Sequence, residues 1–259
     1  MKIFKILMVS FLFTISSYSQ QVWDMTYLHV PGPEIGNFAQ LHKKITDMAQ
    51  GESRTIQDQW VFRHWYGSGH SVVIVDVFNS AEDAVNDDIW GALGSNYEKL
   101  SDEEKKEMDS TFEKWWGYFD GHIDEMRIFN GEKHSASQED INWDIPFVWV
   151  VGNYNTSESY DDMIDAYMNW QTKPNVESGI QLAGGATTHF KGSGSDVMFF
   201  AGFKTLEDFA KSATSQGSPE SAEAGSKFWS MVNGDHSDQI YRFVGKMNNG
   251  KFDLAGPDN

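Results

Sequence analysis

RHWYGSGHS at residues 63–71 recurs as THFKGSGSD at residues 188–196, 125 positions further along the chain. Over the twenty positions that start at His64 and His189, the two copies share eight residues. A later segment, KWWGYFDGHIDEMRI, matches KFWSMVNGDHSDQIYR once a residue is inserted. Two matches in the same order indicate an internal duplication, which constrains the fold more strongly than any single motif.

Each copy predicts the element order β-α-β-β-α-β. In the first copy QVWDMTYLHV is rich in the aromatic and β-branched residues typical of strands. Apolar residues then recur at helical spacing between Ile35 and Met48. Two strands flank the Gly-Ser-Gly turn as a hairpin. Ser101-x-x-Glu104 is a capping box that begins the next helix, and HIDEMRIF closes the copy as a strand.

The second copy repeats this order, with IPFVWVVGNY, GGATTHF, DVMFFAGF and SDQIYRFVG as its strands. Thr205 and Ser218 stand at helix-cap positions, and a proline follows Ser218. The duplication therefore predicts a first unit at residues 21–130, a polar linker at 131–143 and a second unit at 144–259.

A β-α-β-β-α-β unit is the ferredoxin-like arrangement, in which both helices cover one face of a four-stranded antiparallel sheet. Two such units in one chain can cover their bare sheet faces by packing them together. The sequence thus predicts an α+β fold in which two ferredoxin-like units pack sheet to sheet as an α+β barrel.

Residues 1–20 have the features of a signal peptide. Lys2 and Lys5 precede an apolar run from Ile6 to Ile15, and Ser17-Tyr18-Ser19 is a small-x-small cleavage site. This run is shorter than the roughly 20 apolar residues that span a membrane. We expect export to the periplasm or the exterior, with no membrane insertion of the mature chain.

The chain is strongly acidic and has no cysteine, with a formal net charge of −18 that becomes −20 when the two leader lysines are removed. Such a surface repels phosphate backbones and anionic lipids, which argues against a nucleic-acid partner. With 18 Phe, 10 Trp and 9 Tyr, aromatic side chains can supply a core that disulfides do not stabilise.

His64 and His189 occupy the same place in the two copies, but the strand faces that they share differ, because side chains alternate along a strand. The face of His64 carries the large rings of Trp60, Phe62 and Tyr66. The face of His189 carries Gly185, Thr187 and Lys191. Glycine in a strand often marks the close approach of a ligand. We therefore expect an asymmetric pocket in the second unit; the alternative is that bulky side chains of the first unit fill the space.

A histidine and a carboxylate lie two positions apart in both copies, as His122-Ile-Asp124 and His236-Ser-Asp238. Such a pair suits general acid–base catalysis, and the alternative is a hydrogen-bonded pair that stabilises the start of a strand. The candidate catalytic residues are His64, His189, His236 and Asp238. The candidate ligand contacts are Gly185, Thr187, Lys191, Trp60, Tyr66, His29 and Tyr154, the residue that aligns with His29.

No metal site is predicted. The second and fourth strands of a ferredoxin-like sheet lie about 14 Å apart at opposite edges, so the histidines of one unit cannot share a metal. A metal could be held only across the two units, by His64 with His236 or by His189 with His122.

The third strand and the helix start that follows it, VVIVDVFNSAEDA and VMFFAGFKTLEDFA, resemble those of the dimeric α+β barrel proteins. This superfamily includes the antibiotic-biosynthesis monooxygenase-like and NIPSNAP-like families, and here the pair of units would be fused in one polypeptide. The resemblance implies a small, largely apolar or aromatic ligand in a pocket lined by Trp, Phe and His. Relatives include cofactor-independent oxygenases and haem-binding enzymes, so haem is possible, although nothing in the sequence requires a cofactor.

Three functional classes follow from these observations. The first is an exported small-molecule-binding protein or enzyme; the second is a non-catalytic binding module for a carbohydrate or a protein partner. The third is a metal- or haem-dependent enzyme that uses histidines from both units. The duplication allows a monomer, and a homo-oligomer stays open.

Overall fold

The strands and helices form two sets with a matching order along the chain. The computed structural model of the protein describes residues 20–137, 141–215 and 217–256, so the predicted signal peptide lies outside the described residues except for Gln20. The strands are β1 (Gln21–Leu28), β2 (Asp58–Gly67), β3 (Val72–Phe78), β4 (Ile123–Ala136), β5 (Val148–Tyr154), β6 (Ala183–Gly192), β7 (Val197–Phe203), β8 (Ser237–Asn248) and β9 (Lys251–Leu254). The α-helices are α1 (Ile35–Met48), α2 (Ala81–Asn86), α3 (Ile89–Tyr97), α4 (Asp102–Gly117), α5 (Tyr160–Tyr167), α6 (Lys173–Glu177), α7 (Leu206–Thr214) and α8 (Pro219–Met231). None of the described helices is long and apolar enough to cross a membrane.

Eight strands form one closed antiparallel sheet. Their order is β2-β3-β1-β4-β6-β7-β5-β8, and β8 pairs back with β2. The first four strands come from the first half of the chain and the next four from the second half. The halves meet at two seams, one between β4 and β6 and one between β2 and β8. The fold is therefore an α+β barrel whose seams are hydrogen-bonded, where the sequence predicts only contact between sheet faces.

Alternation of side chains along the strands separates the barrel interior from the helix layers outside it. Met25 belongs to the buried cluster that fills the interior. Val61 lies on the outer face of the sheet, where it joins Phe38 of α1 in a second cluster. In the second half, Phe199 and Phe228 of α8 form the corresponding layer. The aromatic content of the sequence is thus used on both faces of the barrel.

The repeated Gly-Ser-Gly turns lie where the seams begin. Gly67 and Gly192 have φ angles of 100° and 91°, a region that favours glycine. A Cβ atom on either residue would lie 2.4 Å from the carbonyl oxygen of Asp238 or Asp124 in the other half. Each half therefore needs the same turn, because each turn approaches the backbone of the opposite half at one seam.

Three predicted helix starts are confirmed. Ser101 and Glu104 form a complete capping box at the start of α4. The hydroxyl of Thr205 accepts a hydrogen bond from the backbone N–H of Asp208, and the hydroxyl of Ser218 accepts one from the N–H of Ser221.

Two boundaries differ from the sequence-based expectation. β4 continues to Ala136, so the first six residues of the predicted linker are strand; they pair with β6 from His134 opposite Gly185 onward. The seam offers this polar segment backbone partners that its composition does not reveal. The alignment of His29 with Tyr154 is wrong by one residue: Leu28 pairs with Val72, and Tyr154 pairs with Val197, the counterpart of Val72.

Candidate functional site

A cavity of about 460 Å³ lies at one end of the barrel, where β1, β2, β5 and β6 begin and β3, β4 and β7 end. This volume is within the range of roughly 300–1,000 Å³ that small-molecule sites occupy. The described residues of its wall include four tryptophans and four phenylalanines: Trp23, Trp60, Trp143, Trp149, Phe62, Phe129, Phe147 and Phe200.

Contacts between rings hold this wall in place. The ring of Trp23 stacks on Phe129 with 5.3 Å between the ring centroids and contacts Phe200 at 4.9 Å. Trp143 meets the edge of Trp60 at 5.9 Å. Such aromatic pairs contribute about 0.5–1.5 kcal/mol each beyond the area that they bury. The cavity is therefore built from rings whose orientations are fixed before any ligand arrives.

Few polar side chains of the described residues line this apolar space. The indole nitrogen Nε1 of Trp23 is buried within the wall, without accessible surface, and has no hydrogen-bond partner among the described residues. Gln21, Gln57, Asp58 and His134 supply the other polar side chains of the wall. The ring of His134 donates from Nδ1 to the carbonyl oxygen of Gly131 at 3.1 Å, so its neutral form presents Nε2 as an acceptor. A buried N–H without a partner is rare in proteins, because it loses its hydrogen bond to water.

Among the described residues of the cavity wall, Asp58 is the one carboxylate. Burial raises the pKa of Asp58 to about 6, although the backbone N–H of Gln59 and the charge of Lys246 oppose the rise. A carboxyl group with a pKa in this range can accept a proton near neutral pH and release it again. Among the described residues, the cavity thus combines apolar rings with one candidate proton acceptor.

The pocket expected beside Thr187 is filled by side chains of the first half of the chain, which is the alternative that the sequence left open. Arg127 of β4 is fully buried in that space; its Nε donates to the hydroxyl of Thr187 at 2.6 Å, and Nη2 donates to the carbonyl oxygen of Ser195 at 3.1 Å. Nη1 forms an ion pair with Glu125, which also accepts a hydrogen bond from Tyr27. Side chains of the first half therefore occupy the room that the small residues of β6 leave.

The two predicted histidines of the hairpins lie outside the cavity wall. His64 packs edge-on against Tyr241 with 5.7 Å between the rings, and its buried Nε2 has no partner in the described part of the chain. His189 is partly exposed, with Nε2 3.3 Å from the carbonyl oxygen of Gly192. Neither ring reaches the aromatic cavity, and a catalytic role for either stays a prediction.

Both His-x-Asp pairs are formed, and both are exposed. Nε2 of His122 lies 3.1 Å from Asp124, and Nε2 of His236 lies 3.4 Å from Asp238. His236 also stacks on Tyr154 at 5.1 Å. Because the same pair occurs at the start of β4 and at the start of β8, the geometry favours the structural alternative over a single active site.

The other predicted ligand contacts are dispersed. Trp60 lies in the cavity wall, and Gly185 lies just behind it, against His134 and Phe200. Tyr154 is buried in the helix layer outside the barrel, because it corresponds to Leu28 rather than to His29. The exposed residues are Tyr66, Lys191 and His29, and the ring of His29 lies 4.5 Å from His70.

The predicted cross-unit histidine pairs do not converge on a metal. His64 is opposite Tyr241 and His189 is opposite Arg127, so each partner histidine is displaced by five residues along its strand, about 16 Å. A zinc–nitrogen bond is about 2.1 Å. Within the described residues, no group of three or more His, Cys, Asp or Glu side chains could hold a metal ion.

Sequence reasoning missed most of the cavity wall. The sequence places Ile141 and Trp143 in the polar linker, yet both line the cavity. The signal for them is two large apolar residues, two positions apart, at the end of an otherwise polar segment. The sequence places Trp23 and Phe200 on strands, but it does not show that these strands meet at the same end of the barrel.

The fold is shared with solved structures. An anthrone oxidase-like protein superposes with a TM-score of 0.58 at 11% identity, over 93% of this chain and 95% of that one. A proposed monooxygenase from Fusobacterium nucleatum gives 0.57 at 10% identity, over 93% and 100% of the two chains. Another from Lactobacillus acidophilus gives 0.54 at 10% identity, over 92% and 98%. Neither the family models nor the curated proteins match the sequence.

These matches confirm the predicted α+β fold. The protein shares this barrel fold with those structures, and both halves of its barrel are in one chain. Identities of 10 to 11% carry no site residue from those proteins to this one.

Proposed function

We propose that the protein binds a small, largely apolar or aromatic molecule in the cavity at the end of the barrel. The observation that carries this proposal is the wall of eight tryptophan and phenylalanine rings that the described residues contribute. These rings select a flat apolar body, which gains about 25 cal/mol for each Å² of apolar surface removed from water.

The binding test measures the Kd of a bicyclic probe, 1-tetralone, by calorimetry. Trp23→Ala removes one ring from the wall. We expect its Kd to rise about 10-fold, because the probe loses apolar contacts worth roughly 1.5 kcal/mol. Trp116→Ala, at a half-exposed tryptophan outside the cavity, is the control. If 1-tetralone does not bind, or if Trp23→Ala binds it as tightly as Trp116→Ala does, the proposal is wrong.

We further propose that the bound molecule is oxidised by molecular oxygen, which the names of the structural neighbours support. Asp58 is the residue that would remove the proton from the substrate. Anthrone is the probe: anthrone and one O₂ give anthraquinone and one water, so oxygen uptake should equal the anthrone consumed. Binding without oxygen uptake above the uncatalysed rate would leave the cavity as the site of a non-catalytic binding module.

Haem fits the cavity wall poorly. His134 is the histidine of the described wall, and no lysine or arginine is among the wall residues to pair with the propionates. Burying carboxylates without such partners is unfavourable. The wall residues therefore point to a ligand without fixed negative charge, and the absence of a Soret band after haem addition is the expected result.

We also propose that the chain is exported through its N-terminal leader, as Lys2, Lys5 and the apolar run up to Ile15 indicate. Mass spectrometry of the mature protein should give an N-terminus near Gln20 or Gln21. A protein that retains Met1 to Ser19 after expression in a secreting host would contradict this proposal.

A further inference from the structure

His29 and His70 lie against each other where the hairpin between β2 and β3 approaches the end of β1. Their ring centroids are 4.5 Å apart, with 36° between the ring planes. Among the described residues, neither ring takes part in a hydrogen bond or an ion pair, although His70 also contacts the ring of Tyr27 at 5.3 Å. His29 is exposed and His70 is partly exposed, so a solute can reach the ring nitrogens of both.

Ser71 holds the two histidines at this distance. Its hydroxyl accepts a hydrogen bond from the backbone N–H of Val30 at 2.6 Å and donates one to the carbonyl oxygen of Leu28 at 3.1 Å. Leu28 and Val30 flank His29, and Ser71 directly follows His70. The backbone beside both rings is thus fixed in advance, which lowers the entropic cost of bringing two side chains to one ligand.

The second half of the chain has no histidine at either place. Asn155 stands at the position of His29, and Ser195 stands at the position of His70. The side-chain oxygen of Asn155 accepts a hydrogen bond from the backbone N–H of Asp196 at 3.2 Å. A strand end and a hairpin of this fold therefore meet without histidines, and the pair in the first half is an addition to the shared architecture.

The separation of the two rings fits two nitrogen ligands of one metal ion. A metal about 2.1 Å from an imidazole nitrogen lies about 3.2 Å from the ring centre, so rings at adjacent corners of a square-planar or octahedral ion have centres about 4.5 Å apart. At tetrahedral angles the ring centres would be about 5.2 Å apart. The observed 4.5 Å matches the first geometry, which Cu²⁺ and Ni²⁺ prefer, whereas Zn²⁺ prefers the second.

We propose that His29 and His70 bind a divalent transition-metal ion, Cu²⁺ most tightly. Affinity of nitrogen ligands for divalent metals is highest for Cu²⁺ in the Irving–Williams order. Two ligands are fewer than the four of a structural zinc site, so water fills the other positions and the ion exchanges with solution. The formal net charge of −18 adds long-range attraction for a cation.

The protonation state of His70 supports binding, because a metal needs a neutral imidazole. Burial, and after it the charge of His29, lowers the pKa of His70. The site does not depend on the binding proposed for the aromatic cavity. His29 lies six residues beyond Trp23 along β1 and its end, a distance of about 20 Å.

The test is equilibrium dialysis of the untagged protein near neutral pH against Cu²⁺, Ni²⁺ and Zn²⁺ in separate experiments. His29→Asn and His70→Ser copy the residues of the second half, so both should fold and should keep the Tm of the unaltered protein without metal. Each should weaken Cu²⁺ binding by more than about 10-fold, because one of two nitrogen ligands is lost. His122→Asn, at an exposed histidine that pairs with Asp124, should bind Cu²⁺ like the unaltered protein.

Electron paramagnetic resonance of the Cu²⁺ complex gives a second readout, with nitrogen splitting from two imidazoles in the unaltered protein and from fewer in either variant. The proposal fails if the protein binds no Cu²⁺, or if His29→Asn and His70→Ser bind it as tightly as His122→Asn does. Tighter binding of Zn²⁺ than of Cu²⁺ would also overturn it. If either variant melts lower than the unaltered protein, His29→Gln and His70→Gln repeat the measurement.

Discussion

A chain of buried polar side chains runs between α4 and the sheet. The indole N–H of Trp115 donates to Nδ1 of His42 at 3.2 Å, and Nε2 of His42 lies 2.9 Å from the amide oxygen of Gln59. The amide nitrogen of Gln59 donates to Asp76 at 2.8 Å. Burial lowers the pKa of His42 to about 4 and raises the pKa of Asp76 to about 7, where the charge of Asp24 adds to the rise.

Asp76 should make the protein less stable as the pH rises. Its folded-state pKa of about 7 lies above the usual value of 3.8, so between these pH values the folded state keeps a proton that the unfolded state has lost. The stabilisation is complete below about pH 4 and is lost as the pH rises through 7. At about 1.4 kcal/mol per pKa unit, the effect is on the order of 4 kcal/mol at most.

Asp76→Asn keeps an oxygen that accepts from Gln59 but cannot ionise. Its free energy of unfolding, minus that of the unaltered protein, should increase between pH 4 and pH 8. Denaturant titrations at several pH values measure this difference, and the titration of His42 cancels because both proteins contain it. Asp120→Asn, at an exposed position, should show no such trend. A difference that is constant with pH would show that Asp76 is already ionised in the folded protein.

At the scale of elements, the hairpin between β2 and β3 is fixed by contact with β8 rather than by its own turn. Gly67→Ala would place a Cβ atom 2.4 Å from the carbonyl oxygen of Asp238, at a φ of 100°. Both effects are unfavourable, so we expect a loss of about 2–4 kcal/mol in the free energy of unfolding. Gly94→Ala in α3 meets no neighbour within 4 Å and should gain about 0.5–1 kcal/mol. Equal effects of the two substitutions would contradict the close approach at the seam.

The secondary structure could be predicted from the sequence, whereas the cavity could not. Periodicity, caps and the duplication predict the strands and most helices, because each of these signals is local. The cavity is not local: Trp23, Trp60, Trp143 and Phe200 come from four separate segments, and only the barrel brings them together. The sequence correctly predicts small side chains on one face of β6. It does not show that Arg127, from the other half of the chain, fills the space beside them.

At the scale of the whole molecule, the barrel has two seams at equivalent positions, and the side chains beside the two seams differ. Interior positions near the β4–β6 seam hold a buried ion pair, Arg127 with Glu125. The corresponding place near the β2–β8 seam holds Tyr241 beside His64. The outer faces differ as well, since one seam carries two arginines and the other carries none at that position. Fusion of the two halves allows this divergence, because each half can change without changing the other.

Barrel closure can be tested directly because the protein has no cysteine of its own. Ile128 and Thr188 are directly opposite across the β4–β6 seam, where Cα atoms lie about 4.5–5.5 Å apart, within the range for a disulfide. Ile128→Cys with Thr188→Cys should therefore oxidise quantitatively, seen as loss of free thiols. The bond closes a loop of about 60 residues, so oxidation should add about 2–4 kcal/mol to the free energy of unfolding. Ile128→Cys with Phe190→Cys, at the β-bulge residue of β6 that has no partner in the register, should oxidise poorly. Equal oxidation of both pairs would show that the seam is not held in this register.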